Sequence, residues 1–149
     1  MRVDERVLLN ESFGERVTFL RTAEDTGGEL VECELELSKE GAGPGDHAHP
    51  QQEERFHVLA GSLALRIAGH ERVLGPGDEA VVHPGTPHAW TNVSPVTTIV
   101  RLVMRPALRF EEALEEVFRM QDDGGWNDAV AVAAFAERYG REFTILGPT

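Results

Sequence analysis

Cysteine occurs once, at Cys33, and lysine once, at Lys39, in a chain of 149 residues. A single thiol allows no disulfide within the chain, so the cysteine content asks for no oxidising compartment. Cations are scarce beside anions: 14 lysines and arginines face 26 aspartates and glutamates, for a net charge of −12. Nucleic-acid phosphates and anionic lipid headgroups need clustered lysine and arginine, and this balance argues against both as partners. No apolar run approaches the roughly 20 residues that span a bilayer, and the charged start, Met1 to Arg6, lacks the apolar core of a secretory signal. The expectation from these absences is a cytoplasmic protein that binds neither nucleic acid nor membrane.

What is present is a series of short alternating stretches punctuated by glycine and proline. The length suits one domain, since typical domains run to about 100–150 residues. A short strand within Arg2 to Glu11 is followed by a turn at Asn10 to Gly14. Arg16 to Arg21 then puts Val17 and Phe19 on one side, and Asp25 to Gly28 reads as a hairpin connection. In Glu29 to Ser38, Val31, Cys33, Leu35 and Leu37 form an apolar face opposite Glu32, Glu34 and Glu36. Cys33 is expected in the core and the glutamate row on a solvated face. Ser62 to Ala68 turns Leu63, Leu65 and Ile67 inward, and Thr97 to Arg105 makes the last long strand. Such punctuation at near-regular spacing points to a closed or sandwiched all-β fold.

Beyond Pro106 the period changes. Phe110, Ala113, Leu114, Val117 and Phe118 recur at intervals of three and four opposite Glu111, Glu112, Glu115 and Glu116, which is an amphipathic helix. Asp122 to Gly125 breaks it. A second helix, capped by Asn127 or Asp128, runs through Ala129 to Tyr139 and stops at Gly140. Its alanines and Phe135 leave little polar face, so close packing is expected. Glu142 to Leu146 reads as a final short strand.

The chemistry concentrates between Gly41 and Gly61. On an extended strand His47 and His49 point the same way, with Ala48 turned to the other side. Pro50, Gln51 and Gln52 are turn-like, and Glu53 to Ala60 reads as a returning strand that brings a carboxylate back. Glu54, Phe56 and Val58 share one face; Glu53, Arg55 and His57 share the other. A further donor, His88, follows the Pro84-Gly-Thr-Pro87 turn.

These residues resemble the two motifs of the cupin family. Gly41, His47, His49, Glu54 and Gly61 keep the intervals of its first motif, and Gly77, Gly85, His88 and Asn92 those of its second. His83 stands where the family usually carries proline, with Pro84 after it. The resemblance implies a double-stranded β-helix, or jelly-roll barrel, over residues 1–106, with two α-helices appended in residues 107–149 and packed on the barrel or across a homodimer. It further implies that His47, His49, Glu54 and His88 bind one divalent metal, with Glu54 preferred over Glu53 because only Glu54 keeps the interval to Gly61. Three imidazoles and a carboxylate suit iron, manganese, nickel, zinc or copper.

Trp90 shares parity with His88 and Asn92. It reads equally as a pocket wall, with Phe56, for a small organic ligand or as a barrel plug. His83 is a candidate proton carrier, whereas His57 and His70 read as surface residues. Two functions follow as expectations. One is a metal-dependent enzyme of dioxygenase type, with isomerase or decarboxylase chemistry open; the other is a small-molecule binding or sensing module whose metal is structural or anchors the ligand.

Overall fold

The alternating segments form antiparallel strands, and the two helices follow them. In the computed structural model, which describes residues 1–147, the strands are β1 (Arg2–Asp4), β2 (Val7–Asn10), β3 (Glu15–Arg21), β4 (Val31–Leu37), β5 (His47–Ala48), β6 (Glu53–Ala60), β7 (Leu63–Ile67), β8 (His70–Leu74), β9 (Glu79–Val82), β10 (His88–Asn92), β11 (Thr98–Arg105) and β12 (Thr144–Ile145). The helices are α1 (Phe110–Asp123) and α2 (Ala129–Tyr139). Pro148 and Thr149, which end the expected extension, lie outside the described residues.

Two sheets form a jelly roll. One has the order β1-β2-β3-β4-β11-β6-β9 and the other β12-β5-β10-β7-β8. From β4 onward the chain alternates between the sheets except at the β7–β8 hairpin, so β4 lies beside β11, and β5 beside β10 and β12. This crossing wraps the chain around one apolar interior, filled from both sheets by residues such as Phe19, Leu35, Phe56, Leu65 and Met104.

β4 sets the inward and outward faces. Val31, Cys33, Leu35 and Leu37 are at most 1 % exposed, so one face is fully in the core. The opposite glutamates are half-buried, not freely solvated as the alternation alone suggested. They are flanked by arginines on the neighbouring strands: Arg21 Nε lies 3.2 Å from Glu32, Arg101 3.2 Å from Glu34 and Arg16 3.6 Å from Glu36. Cross-strand pairs of opposite charge are favourable on a sheet face, which accounts for a row of three like charges on one strand.

α1 buries its apolar stripe against the barrel and ends at Gly124, whose left-handed φ of 76° lets its N–H return to the Met120 carbonyl. α2 is capped by Asp128, whose side chain accepts from the N–H groups of Val130 and Ala131. Full burial is confined to Phe135 and Tyr139, with Ala131 and Val132 packed partly against the core; Val130 is 79 % exposed. Alanines bury little area each, so two aromatic anchors hold this helix and its remaining face stays open. Among the described residues no helix is long and apolar enough to cross a membrane.

Asn92 is a fastener of the fold. Its Nδ2 donates to the carbonyls of Leu37, Ser38 and Val96 at 2.8–3.0 Å, and its Oδ1 accepts from Ser94 N and Thr98 Oγ1. Gly61 sits beside the same knot with φ of +80°, and a Cβ there would fall 2.2 Å from Thr98 Oγ1. Asn92→Ala should cost about 3 kcal/mol, because several buried polar groups lose their partner at once. Urea denaturation measures this; a loss under about 1 kcal/mol would show that water takes over these bonds.

Candidate metal centre

His47 and His88 are directly opposite each other in the β5–β10 pair. His49 continues the alternation past the end of β5, so its ring returns to the side of His47. Glu54 comes from the facing sheet, where β6 is held between β11 and β9. The four candidate donors are therefore contributed by both walls of the barrel: three imidazoles from one and a carboxylate from the other. All four side chains are buried, none more than 3 % exposed.

Each imidazole is oriented by a backbone carbonyl. His47 Nδ1 lies 2.8 Å from Gly45 O, His49 Nδ1 2.8 Å from Glu142 O and His88 Nδ1 3.0 Å from Thr86 O. A carbonyl can only accept, so each Nδ1 carries the proton; the neutral rings of His47 and His49 present a bare Nε2 inward, while His88 Nε2 donates to Glu54 in the metal-free protein. Ligand nitrogens of the three rings lie within 4.8 Å of one another. His47 Nε2 and His49 Nε2 are buried without a hydrogen-bond partner. Glu54 Oε1 approaches His88 Nε2 at 2.8 Å and His49 Nε2 at 3.3 Å. Converging lone pairs with a carboxylate among them are costly to bury alone, and a divalent cation satisfies all of them. The donor set fits a metal.

Aromatic rings surround the cluster. Trp90 is edge-on to His47, with centroids 5.2 Å apart, and Phe56 packs on both Trp90 and His88. Gly43 makes room for the indole: a Cβ there would lie 2.3 Å from Trp90 Cε2. Two further rings come from the C-terminal segments, Phe110 at the start of α1 and Phe143 just before β12, which stack on each other and pack against His49. They enclose a cavity of about 20 Å³ bordered by Glu15, His49, Glu54, Trp90, Phe110 and Phe143. That is room for a single water.

His83 lies past the end of β9 with its side chain exposed, and the strand parity that left its direction open is resolved outward. His57 is half-buried near Glu79, and His70 is exposed. Sequence reasoning missed Glu15 and Phe143 as wall residues. Glu15 shares the inward parity of Val17 and Phe19, a signal that was available had the strand been started one residue earlier. Phe143 is tied to the site by a contact 93 residues apart in sequence, between Glu142 and His49, for which no local pattern exists.

Residues 34–104 match the family model described as a cupin domain. The chain thus carries a cupin domain over this stretch. This cupin is 31 % identical over 93 residues to quercetin 2,3-dioxygenase of Bacillus subtilis, a match covering 62 % of this chain and 28 % of that protein. It is 42 % identical over 53 residues to a protein named as an oxidoreductase from Arthrobotrys oligospora, covering 35 % of this chain and 21 % of the other. The matches thus span under a third of the length of these curated relatives. A solved RmlC-like cupin from Shewanella frigidimarina superimposes with a TM-score of 0.58 at 21 % identity, over 73 % of this chain and 91 % of that one, and shares the fold.

The electrostatics of this cupin's cluster are strongly coupled. Burial would raise the Glu54 carboxyl, but His49 and His88 outweigh it and hold Glu54 well below the usual carboxylate range. Burial, and then the nearness of His88 and His49, push His47 well below the ordinary imidazole value. For His88 burial acts downward, but the hydrogen bond and charge of Glu54 win and raise it.

In metal-free protein His47 thus refuses a proton that the unfolded chain accepts below about pH 6.5. Its contribution to stability falls as pH drops from that value towards the depressed folded one; His88 acts in the opposite sense. Comparison with His47→Gln isolates the first effect. The Tm advantage of the variant over the wild type should grow between pH 7 and pH 5, and a pH-independent difference would refute the assignment.

Proposed function

We propose that this protein is a metal-dependent enzyme of dioxygenase type acting on a small organic molecule, with His47, His49, Glu54 and His88 holding the metal. The observation that carries this reading is the outward anchoring of all three Nδ1 atoms, which leaves Nε2 lone pairs converging beside a buried carboxylate. Among its matches, one relative is a quercetin 2,3-dioxygenase and another is named an oxidoreductase. A bound first-row metal would supply Lewis acidity and redox chemistry towards a small organic substrate.

The chain supplies orientation and dryness. The Gly45, Thr86 and Glu142 carbonyls fix the tautomer and direction of the three rings. Trp90, backed by Phe56, forms an apolar wall, and Phe110 with Phe143 keeps bulk water from the cluster. His83, exposed and past its strand, is given no part.

The small enclosed cavity favours a second reading, in which the metal anchors a ligand or supports the fold without turnover, since a ring-sized substrate requires the Phe110–Phe143 wall to move. Dioxygen uptake separates the two. Metal-loaded protein supplied with catechols, flavonols and 1,3-diketones should consume dioxygen with at least one of them. Tight binding without uptake would favour the module.

The metal itself is tested by elemental analysis of untagged protein. Wild type should hold about one equivalent of a first-row metal, as one four-donor site requires, and His49→Ala should lose it together with any turnover. Full retention in that variant would overturn the ligand assignment.

A further inference from the structure

The space beside the metal cluster holds one water, whereas a cavity of about 480 Å³ lies on the outer side of the seven-stranded sheet. Strand alternation builds it. Arg55 and His57 on β6, Arg101 and Val103 on β11, and Val81 on β9 all point away from the barrel, since the residues between and beside them are buried. Val103, Arg55 and Val81 are directly opposite one another across the three strands, so a guanidinium stands between two half-buried valines. Arg72 joins from β8, the edge of the other sheet, and arginines from both sheets thus line one space.

The cations there are incompletely answered. Arg101 has terminal nitrogens 3.2 Å from Glu34 and 3.9 Å from Glu32, but its Nε is buried without a hydrogen-bond partner. Arg55 Nε donates to Glu53 at 2.8 Å, which uses one of the five donors of that guanidinium. Among the described residues, Arg72 is the only arginine whose side chain has no ion pair, hydrogen bond or ring contact. That is notable in a chain where 26 acidic residues compete for 14 basic ones. Of the two carboxylates that border the cavity, Glu32 is engaged by Arg21 at 3.2 Å and Glu79 is 73 % exposed.

We propose that this outer cavity is a binding site for a small carboxylate with an apolar body, a benzoate-sized anion whose carboxylate is held by Arg72 and Arg55 and whose ring lies over Val81 and Val103. Small-molecule sites measure about 300–1,000 Å³ and combine apolar walls with a few charged groups, and this cavity does both. The paired N–H donors of a guanidinium match the two oxygens of a carboxylate. A bare inorganic anion leaves the valine floor uncovered, and a neutral ring leaves Arg72 unanswered; an apolar carboxylate satisfies both. The site stands apart from the metal reading, because its arginines and valines lie outside the barrel.

Isothermal titration calorimetry at low salt, where surface charges are little screened, tests this. Wild type should bind benzoate with a Kd of about 1 mM or tighter. Benzamide, equal in shape and uncharged, should bind at least about tenfold more weakly, and inorganic phosphate more weakly than benzoate. Arg72→Gln removes no ion pair, so it should keep the wild-type Tm and weaken benzoate about fivefold or more. EDTA should leave the benzoate affinity unchanged. Absence of benzoate binding, equal affinity for benzamide, full affinity in Arg72→Gln, or phosphate bound as tightly as benzoate would each overturn the proposal. Loss of binding in EDTA would overturn it too, by placing the anion at the metal.

Discussion

Three hydrogen bonds from imidazole to peptide carbonyl set the polarity of the barrel interior. By fixing each Nδ1 as donor they leave the Nε2 atoms of His47 and His49 as acceptors turned inward, at a depth where no protein donor answers them. Every neighbouring feature is consistent with that constraint. The β5–β10 pairing holds two of the rings beside each other at a tilt, with centroids 4.3 Å apart, β6 delivers a carboxylate from the opposite wall, and a sleeve of aromatic residues keeps the medium apolar, where an interaction with a cation would be strong. A cluster so rich in acceptors is poor as a packing element and well suited as a ligand set.

Much of this was legible in the chain. The alternation of β4 marked its inward face, and the period change after Pro106 marked the helices. The one-residue gap between His47 and His49 sufficed to put them on one side. Glu54 could be told from Glu53 by its parity with Phe56 and Val58, both of which are buried. The features that escaped share a physical cause, namely that they depend on which strands become neighbours. Glu15 reads locally as one more acid in an acidic chain, and only the fold reveals that its strand faces the metal-side cavity. The glutamate row of β4 seemed solvated because the arginines that meet it lie on β3 and β11. The alanines of α2 suggested tight packing, yet their small side chains leave the anchoring to Phe135 and Tyr139.

The two sheets divide the labour. The seven-stranded sheet supplies most of the long apolar residues and two buried carboxylates, Glu15 and Glu54; the five-stranded sheet supplies the bases and Trp90. Acid and base therefore meet only when the sheets close on one another, and the polar chemistry of the interior is a property of the sandwich and of neither sheet alone.

The short strand β12 has a bearing on how the protein is made. Thr144 and Ile145 pair with the strand that carries His47, and the carbonyl of Glu142 orients His49. As the chain emerges from the ribosome, the histidines are exposed long before the residues that hold one of them in place. During that interval the imidazoles remain free to rotate and to exchange protons with the surrounding fluid. Docking of the late segment is the event that turns a loose group of bases into a fixed one.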